Sequence, residues 1–205
     1  MHIDDSFEQL MLDLRSVSQS KSDQGSKFER LMKKFFLTSP LYSEIYEEVW
    51  LWNEFPYATT HDIGIDLVAK LRDKDEFCAI QCKFYDENNS VSKDDVDTFL
   101  SASGKAFYID GVEHRYSERI IVSTTDKWSS NAEETIVGQL PPVTRIRLQD
   151  LKDSGIDWDS FTLDKIEDMK VCSKKKERPH QIEAIDAVIN GFKESERGKL
   201  IMACG

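Results

Sequence analysis

Residues 62–85 read DIGIDLVAKLRDKDEFCAIQCKFY, and this stretch decides the fold. Two alternating segments, 62–71 (DIGIDLVAKL) and 77–85 (FCAIQCKFY), are joined by the charged turn RDKDE. Alternation of this kind predicts two half-buried strands, and the short polar connection predicts an antiparallel hairpin. Side chains alternate along a strand, so Ile63, Ile65, Leu67, Ala69 and Leu71 are expected on one face, with Gly64, Asp66 and Val68 on the other. On the second strand Cys78, Ile80, Cys82 and Phe84 share one face, and Gln81 and Lys83 share the opposite one. A hairpin can set Asp66 alongside Gln81, which gathers Asp, Gln and Lys at one end of a sheet.

Those three groups suit metal-dependent hydrolysis. A carboxylate and an amide carbonyl are hard oxygen ligands of the kind Mg²⁺ prefers, and a backbone carbonyl near Cys82 adds a third. A metal lowers the pKa of a bound water and polarises a phosphoryl oxygen. An ammonium close by orients the attacking water and offsets the charge that builds in the transition state. Gln supplies neither charge nor a general base, so one more carboxylate helps. Glu29 is available at the edge of an apolar helical stripe, half-turned toward whatever that helix packs on. Taken singly, each residue has an ordinary reading: Asp66 as a cap or edge residue, Gln81 and Lys83 as a solvated strand face, Glu29 as helix surface. The combination is what is uncommon.

Outward from the hairpin, residues 5–19 place Phe7, Leu10, Met11 and Leu14 at helical spacing. Gly25, in SKSDQGS, is expected to break that pattern. Residues 26–37 then predict an amphipathic helix with Phe28, Leu31, Met32, Phe35 and Phe36 inward and Lys27, Arg30, Lys33 and Lys34 outward. That basic edge reads as a solvated helix face, with phosphate contact as its second reading. Residues 44–52 (EIYEEVWLW) predict a strand. After the hairpin, residues 91–104 predict a helix capped by Ser92, with Asp95 three residues on and Gly104 at its end. Strands are expected over 118–123 and 143–148, separated by a short helix over 130–138, and a last short helix and turn precede Trp158. The fold class is therefore α/β, with a mixed central sheet flanked by helices. A charged stretch over 164–178, with Lys174–Lys176 at its heart, predicts a linker between a domain over 1–163 and a new helix and strand over 179–205.

Composition narrows the function classes. The 205 residues carry 27 Lys and Arg against 38 Asp and Glu, a net charge of −11. Whole-molecule attraction to nucleic acid is excluded, so a polyanionic partner must be held by a local site. Uninterrupted apolar runs are short, so no membrane span is expected, and the charged N-terminus does not read as a signal peptide. A cytoplasmic location is expected. The four cysteines form no CxxC pair and the His are scattered, which does not support a zinc site; Cys78 and Cys82 read as buried thiols.

Gly25-x-x-Phe28-Glu29, Gly64-Ile65-Asp66-Leu67 and Gln81-Cys82-Lys83, in this order, resemble the Mrr-like branch of the PD-(D/E)xK nucleases, where Gln commonly replaces the second acid. The resemblance covers about residues 20–150. It implies a restriction-endonuclease-like core and Mg²⁺-dependent hydrolysis of double-stranded DNA, with Mn²⁺ as a substitute metal. Asp66, Gln81 and the Cys82 carbonyl would then be metal ligands, Lys83 would orient the water, and Glu29 would be an auxiliary ligand, directly or through water. Arg178-Pro179-His180-Gln181 and Leu200-Ile201-Met202-Ala203-Cys204-Gly205 resemble the entry to a superfamily 2 helicase motor. There Gln181 would contact the adenine of ATP and Gly205 would stand in the Walker A loop of a longer parent. The phosphate-binding Lys of that loop is not in this chain, so the polypeptide itself is not expected to hydrolyse ATP. The two resemblances together match the N-terminal part of prokaryotic type ISP single-chain restriction–modification enzymes and related restriction helicases. They imply helicase, methyltransferase and target-recognition domains downstream. The alternative is a catalytically silent nuclease-like module that binds DNA or docks a partner.

Overall fold

The computed structural model of the chain describes residues 4–58, 64–86, 88–160, 169–172 and 179–194. The N-terminal apolar stripes form helices α1 (Asp4–Ser16) and α2 (Lys21–Thr38). Helix α2 starts well before the expected position, because the Ser20 hydroxyl caps it by accepting the Asp23 N–H at 3.1 Å. Gly25 therefore lies inside the helix rather than breaking it. An internal Gly costs about 1 kcal/mol relative to Ala. Phe28, Leu31, Met32, Phe35 and Phe36 are all buried, and each such side chain returns about 1.5–3 kcal/mol, so the helix easily outlasts the glycine.

A single turn, α3 (Tyr42–Ile45), occupies the start of the strand expected over 44–52, and β1 runs only from Tyr46 to Leu51. The Glu54 carboxylate accepts the Leu51 N–H at 3.1 Å and bends the chain into a 3₁₀ turn over Trp52–Glu54. Strands β2 (Leu67–Leu71) and β3 (Phe77–Lys83) form the expected antiparallel hairpin, with Leu67 opposite Ile80 and Lys70 opposite Phe77. Helix α4 (Lys93–Ser103) follows, capped by Ser92 and ended at Gly104 as expected. A small hairpin, β4 (Phe107–Ile109) and β5 (Val112–His114), turns through Asp110 and Gly111, both at positive φ. It was not anticipated, although Asp-Gly between apolar residues is a hairpin signal. The chain continues through β6 (Tyr116–Ser123), α5 (Ser130–Ile136), β7 (Val143–Ile146) and α6 (Leu148–Lys152).

The main sheet has the order β1-β2-β3-β6-β7. Pairing is antiparallel from β1 to β3 and parallel from β3 through β6 to β7, so the sheet is mixed and β3 is its centre. One face carries Leu67, Ala69, Ile80 and Val122 against the apolar stripes of α1 and α2. The other carries Val68, Ala79 and Ile121 against Val96 and Phe99 of α4 and Ala132 of α5.

Two expectations need correction. The strand expected over 62–71 begins at Leu67. Gly64 takes φ +98°, which breaks the alternation, and Ile65 is buried with Val68 on the α4 side instead of with Leu67 and Ala69. Ile63 lies outside the described residues. The first compact unit also extends to Val171 rather than ending at 163. Met169 is buried and Val171 bridges to Ile156, so part of the charged stretch read as linker belongs to this unit. The second unit, from Cys172 to Gly205, contains helix α7 (Pro179–Glu194), with Gln181 in its first turn. The strand expected over 200–205, and Gly205 with it, lies outside the described residues. Among the described residues no helix is long and apolar enough to cross a membrane.

Candidate functional site

The site forms where β2 and β3 begin to part. Asp66 immediately precedes β2, and its own N–H still donates to the Ile80 carbonyl at 3.0 Å. Two residues further along β3, the carboxylate takes over from the backbone: Asp66 Oδ2 accepts the Cys82 N–H at 2.6 Å. A charge-assisted bond of this length fixes the carboxylate against β3. Asp66 thus lies beside the Ile80–Cys82 backbone, with Gln81 between.

The alternation expected along β3 holds. Cys78, Ile80, Cys82 and Phe84 face α1 and α2, whereas Phe77, Ala79 and Tyr85 pack on the α4 side. Gln81 is not a solvated strand residue: it is only 3% exposed, and its Oε1 is buried without a hydrogen-bond partner. Native interiors leave few such atoms. Lys83, at the end of β3, points its Nζ to Asp95 Oδ1 at 3.0 Å.

Glu29 approaches from α2. Its Oε1 lies 3.8 Å from where a Cβ on Gly25, one turn earlier, would stand. The Cys82 thiol registers how the charges are arranged. Burial first, then the Asp66 and Glu29 carboxylates, push it well above the ordinary thiol range, while Lys83 pulls the other way. Two carboxylates and one ammonium therefore act on the same sulfur. Among the described residues no three His, Cys, Asp or Glu side chains cluster as a metal-ligating group. The Asp66 and Glu29 carboxylates both act on Cys82, which faces α2, whereas the Gln81 side chain leaves β3 on the opposite, α4 side.

Surrounding elements hold the end of β3. Arg15 of α1 donates from Nη2 to the Tyr85 carbonyl at 3.0 Å, pairs with Asp86 at 3.3 Å and covers the Phe84 ring at 5.0 Å. Phe28 of α2 packs on the same ring, centroids 5.4 Å apart. Behind Lys83, the Thr124 N–H donates to the Lys83 carbonyl at 3.1 Å, and the Thr124 hydroxyl bonds both the N–H and the carbonyl of Tyr85. Neither Arg15 nor Asp95 stood out from the sequence as a site residue. Asp95 was legible only as a capping acid, and nothing in its spacing reports that Lys83 reaches it. Two of the four basic residues on the edge of α2 are paired: Lys27 with Asp23, and Lys33 with Glu54 at 2.6 Å.

No curated protein sequence matches the chain. Among solved structures, the ATP-dependent Type ISP restriction-modification enzyme LlaBIII bound to DNA is similar over 99% of this chain, with 34% identity and a TM-score of 0.67. The chain spans 12% of that enzyme's length. The MspJI restriction endonuclease in complex with a 27-mer oligonucleotide matches 73% of this chain and 31% of its own, at 18% identity and TM-score 0.46. The DNA modification-dependent restriction endonuclease AspBHI matches 79% and 40%, at 15% identity and TM-score 0.48. The family Mrr_cat_2, described as restriction endonuclease, matches residues 37–168, a span that includes Asp66, Gln81 and Lys83 and begins after Glu29. With well over half of its length matched, and a mixed sheet flanked by helices, this chain belongs to the restriction endonuclease family.

Proposed function

We propose that this chain is the Mg²⁺-dependent endonuclease domain of an ATP-driven restriction enzyme, and that it hydrolyses phosphodiester bonds in double-stranded DNA. The observation that carries the reading is the buried, unpartnered Oε1 of Gln81, on the residue just before the Cys82 N–H that anchors the Asp66 carboxylate. Leaving a buried acceptor unsatisfied costs about 1–3 kcal/mol. A hard divalent cation, which takes oxygen ligands, removes that cost. The residues present fit one: Asp66, Gln81 Oε1 and the Cys82 carbonyl would hold it, with Glu29 as an auxiliary ligand directly or through water. When bound, such a cation supplies an acidified water and a polarised phosphoryl oxygen.

The chain's own groups do the rest. The Cys82 N–H keeps the Asp66 carboxylate turned toward the site. The Lys83 ammonium donates to the attacking water or to a phosphoryl oxygen as negative charge grows. Gln81 in place of an acid leaves the site one negative charge lighter, which eases the approach of a polyanion to a chain of net charge −11. Delivery to DNA would come from a downstream motor in a longer parent, with Gln181 and Gly205 in its ATP site. Similarity to a Type ISP enzyme of which this chain spans 12% supports that arrangement.

The test has two arms. Titration of the 205-residue chain with Mg²⁺ or Mn²⁺ should show binding that Asp66→Ala removes. Plasmid cleavage by the full-length parent should be abolished by Asp66→Ala and by Lys83→Ala. Cleavage undiminished by Asp66→Ala would refute the reading. Absence of any Asp66-dependent metal binding would leave a silent docking module in its place.

A further inference from the structure

We propose that Asp95 is a positioning residue for Lys83: a carboxylate locked by α4 and Tyr85 that holds the Lys83 ammonium in one orientation at the end of β3. The inference rests on the nuclease reading above.

The two oxygens of Asp95 have separate jobs. Oδ2 accepts three hydrogen bonds, from the Ser92 hydroxyl at 2.6 Å, the Ser92 N–H at 3.0 Å and the Tyr85 hydroxyl at 2.8 Å. Oδ1 faces Lys83 Nζ at 3.0 Å. A capping box requires only that the acid at the third helical position reach back to the cap N–H. It requires neither the Tyr85 hydroxyl nor a lysine on the second oxygen. Three donors from two different segments prevent the carboxylate from rotating to follow a moving ammonium. Lysine is otherwise a point charge on a flexible four-carbon stem.

Burial favours the same conclusion. The Lys83 and Asp95 side chains are 22% and 19% exposed, so the pair is poorly screened and does not behave as an ordinary surface ion pair. Tyr85 lies two residues beyond Lys83, on the same side of the chain, so the lock is built into the end of the strand that it steadies. The hydrogen bonds also outweigh burial in keeping Asp95 ionised. Lys83 is thereby an oriented donor rather than a mobile counter-ion. Its remaining ammonium protons are left free to serve the site while one oxygen of Asp95 holds the group in place.

The experiment compares variants of the full-length parent in Mg²⁺-dependent plasmid cleavage, separating the rate at saturating DNA from the DNA concentration at half-saturation. Asp95→Asn keeps an acceptor for Ser92 and Tyr85 but removes the charge that faces Lys83. It should lower the saturating rate at least tenfold and leave half-saturation within twofold. Tyr85→Phe loosens the carboxylate without touching Lys83 and should lower the rate severalfold at unchanged Tm. Ser129→Ala removes the cap of α5, away from Lys83; it should lower Tm and leave the saturating rate unchanged. A folded Asp95→Asn enzyme that cleaves within twofold of wild type overturns the proposal, as does a rate loss that merely tracks Tm across all three variants. If Asp95→Asn does not fold, Tyr85→Phe decides by the same criterion. Asp66→Ala, run in parallel, separates the two claims. Cleavage surviving in Asp66→Ala rejects the nuclease reading itself, whereas an inactive Asp66→Ala beside a fully active Asp95→Asn rejects only the positioning role.

Discussion

Replacing Gln81 with Met should make the protein more stable and less able to bind metal. The side chain is 3% exposed, and its Oε1 is buried without a partner. Removing an unsatisfied buried acceptor recovers part of its desolvation cost, which is about 1–3 kcal/mol. Met is close in length to Gln and adapts to an irregular space, so packing takes back only a fraction. The net expectation in EDTA is a gain of about 1 kcal/mol, or roughly 3 °C in Tm for a unit of this size. With Mg²⁺ the order should reverse. A cation at ten times its dissociation constant stabilises the wild type by about 1.4 kcal/mol through mass action, and the variant lacks the ligand that binds it. Calorimetry or thermal denaturation of the 205-residue chain, with and without Mg²⁺, reads both signs. A Gln81→Met protein less stable than wild type in EDTA, with the same Mg²⁺-dependent gain, would mean that the amide is satisfied and structural, and the case for a ligand would fail.

Other expectations are narrower. Burial opposes the ionisation of Asp95, but hydrogen bonds from Ser92 and Tyr85 and the contact with Lys83 win and bring its carboxyl from 3.8 to about 2. A depressed carboxylate stabilises above its unfolded pKa and loses that contribution as pH falls through the folded value. About 2 kcal/mol should therefore disappear between roughly pH 4 and pH 2; denaturation across that window should flatten in Asp95→Asn. Phe28→Ala empties a fully buried position against Phe84 and should cost about 3–5 kcal/mol in urea denaturation. Gly111 sits at φ +84° with open space around it, so Gly111→Ala should cost about 1 kcal/mol through backbone strain alone. The Cys78 thiol is fully buried, and burial pushes its pKa far up; iodoacetamide should label it only on unfolding, and labelling at native rates would contradict the packing.

The hairpin that carries Asp66, Gln81 and Lys83 was legible because two strands of clear period-two patterning were separated by a polar turn. The amphipathic stripe of α2 was legible for the same reason: both signals are local and rest on burial of one face. Legibility ended where a single residue overrode the pattern. Gly64 broke the alternation and moved Ile65 to the opposite face, and Ser20 extended α2 through Gly25 by capping it upstream. Gln81 and Lys83 looked like an exposed strand face because nothing in their neighbours reveals that α4 lies over them. The partnership of Lys83 with Asp95 spans a loop, and only the folded chain brings the two together.

The helices that precede residue 37 carry a practical consequence. A cassette cut to the family match, 37–168, would contain Asp66, Gln81 and Lys83. It would leave behind Arg15 and Phe28, the two groups that clasp Phe84 and Tyr85 immediately after the lysine, and Glu29 with them. Anyone grafting this domain onto another scaffold should therefore place the junction upstream of α1. The family match begins at residue 37, while the contacts that hold the end of β3 begin two helices earlier.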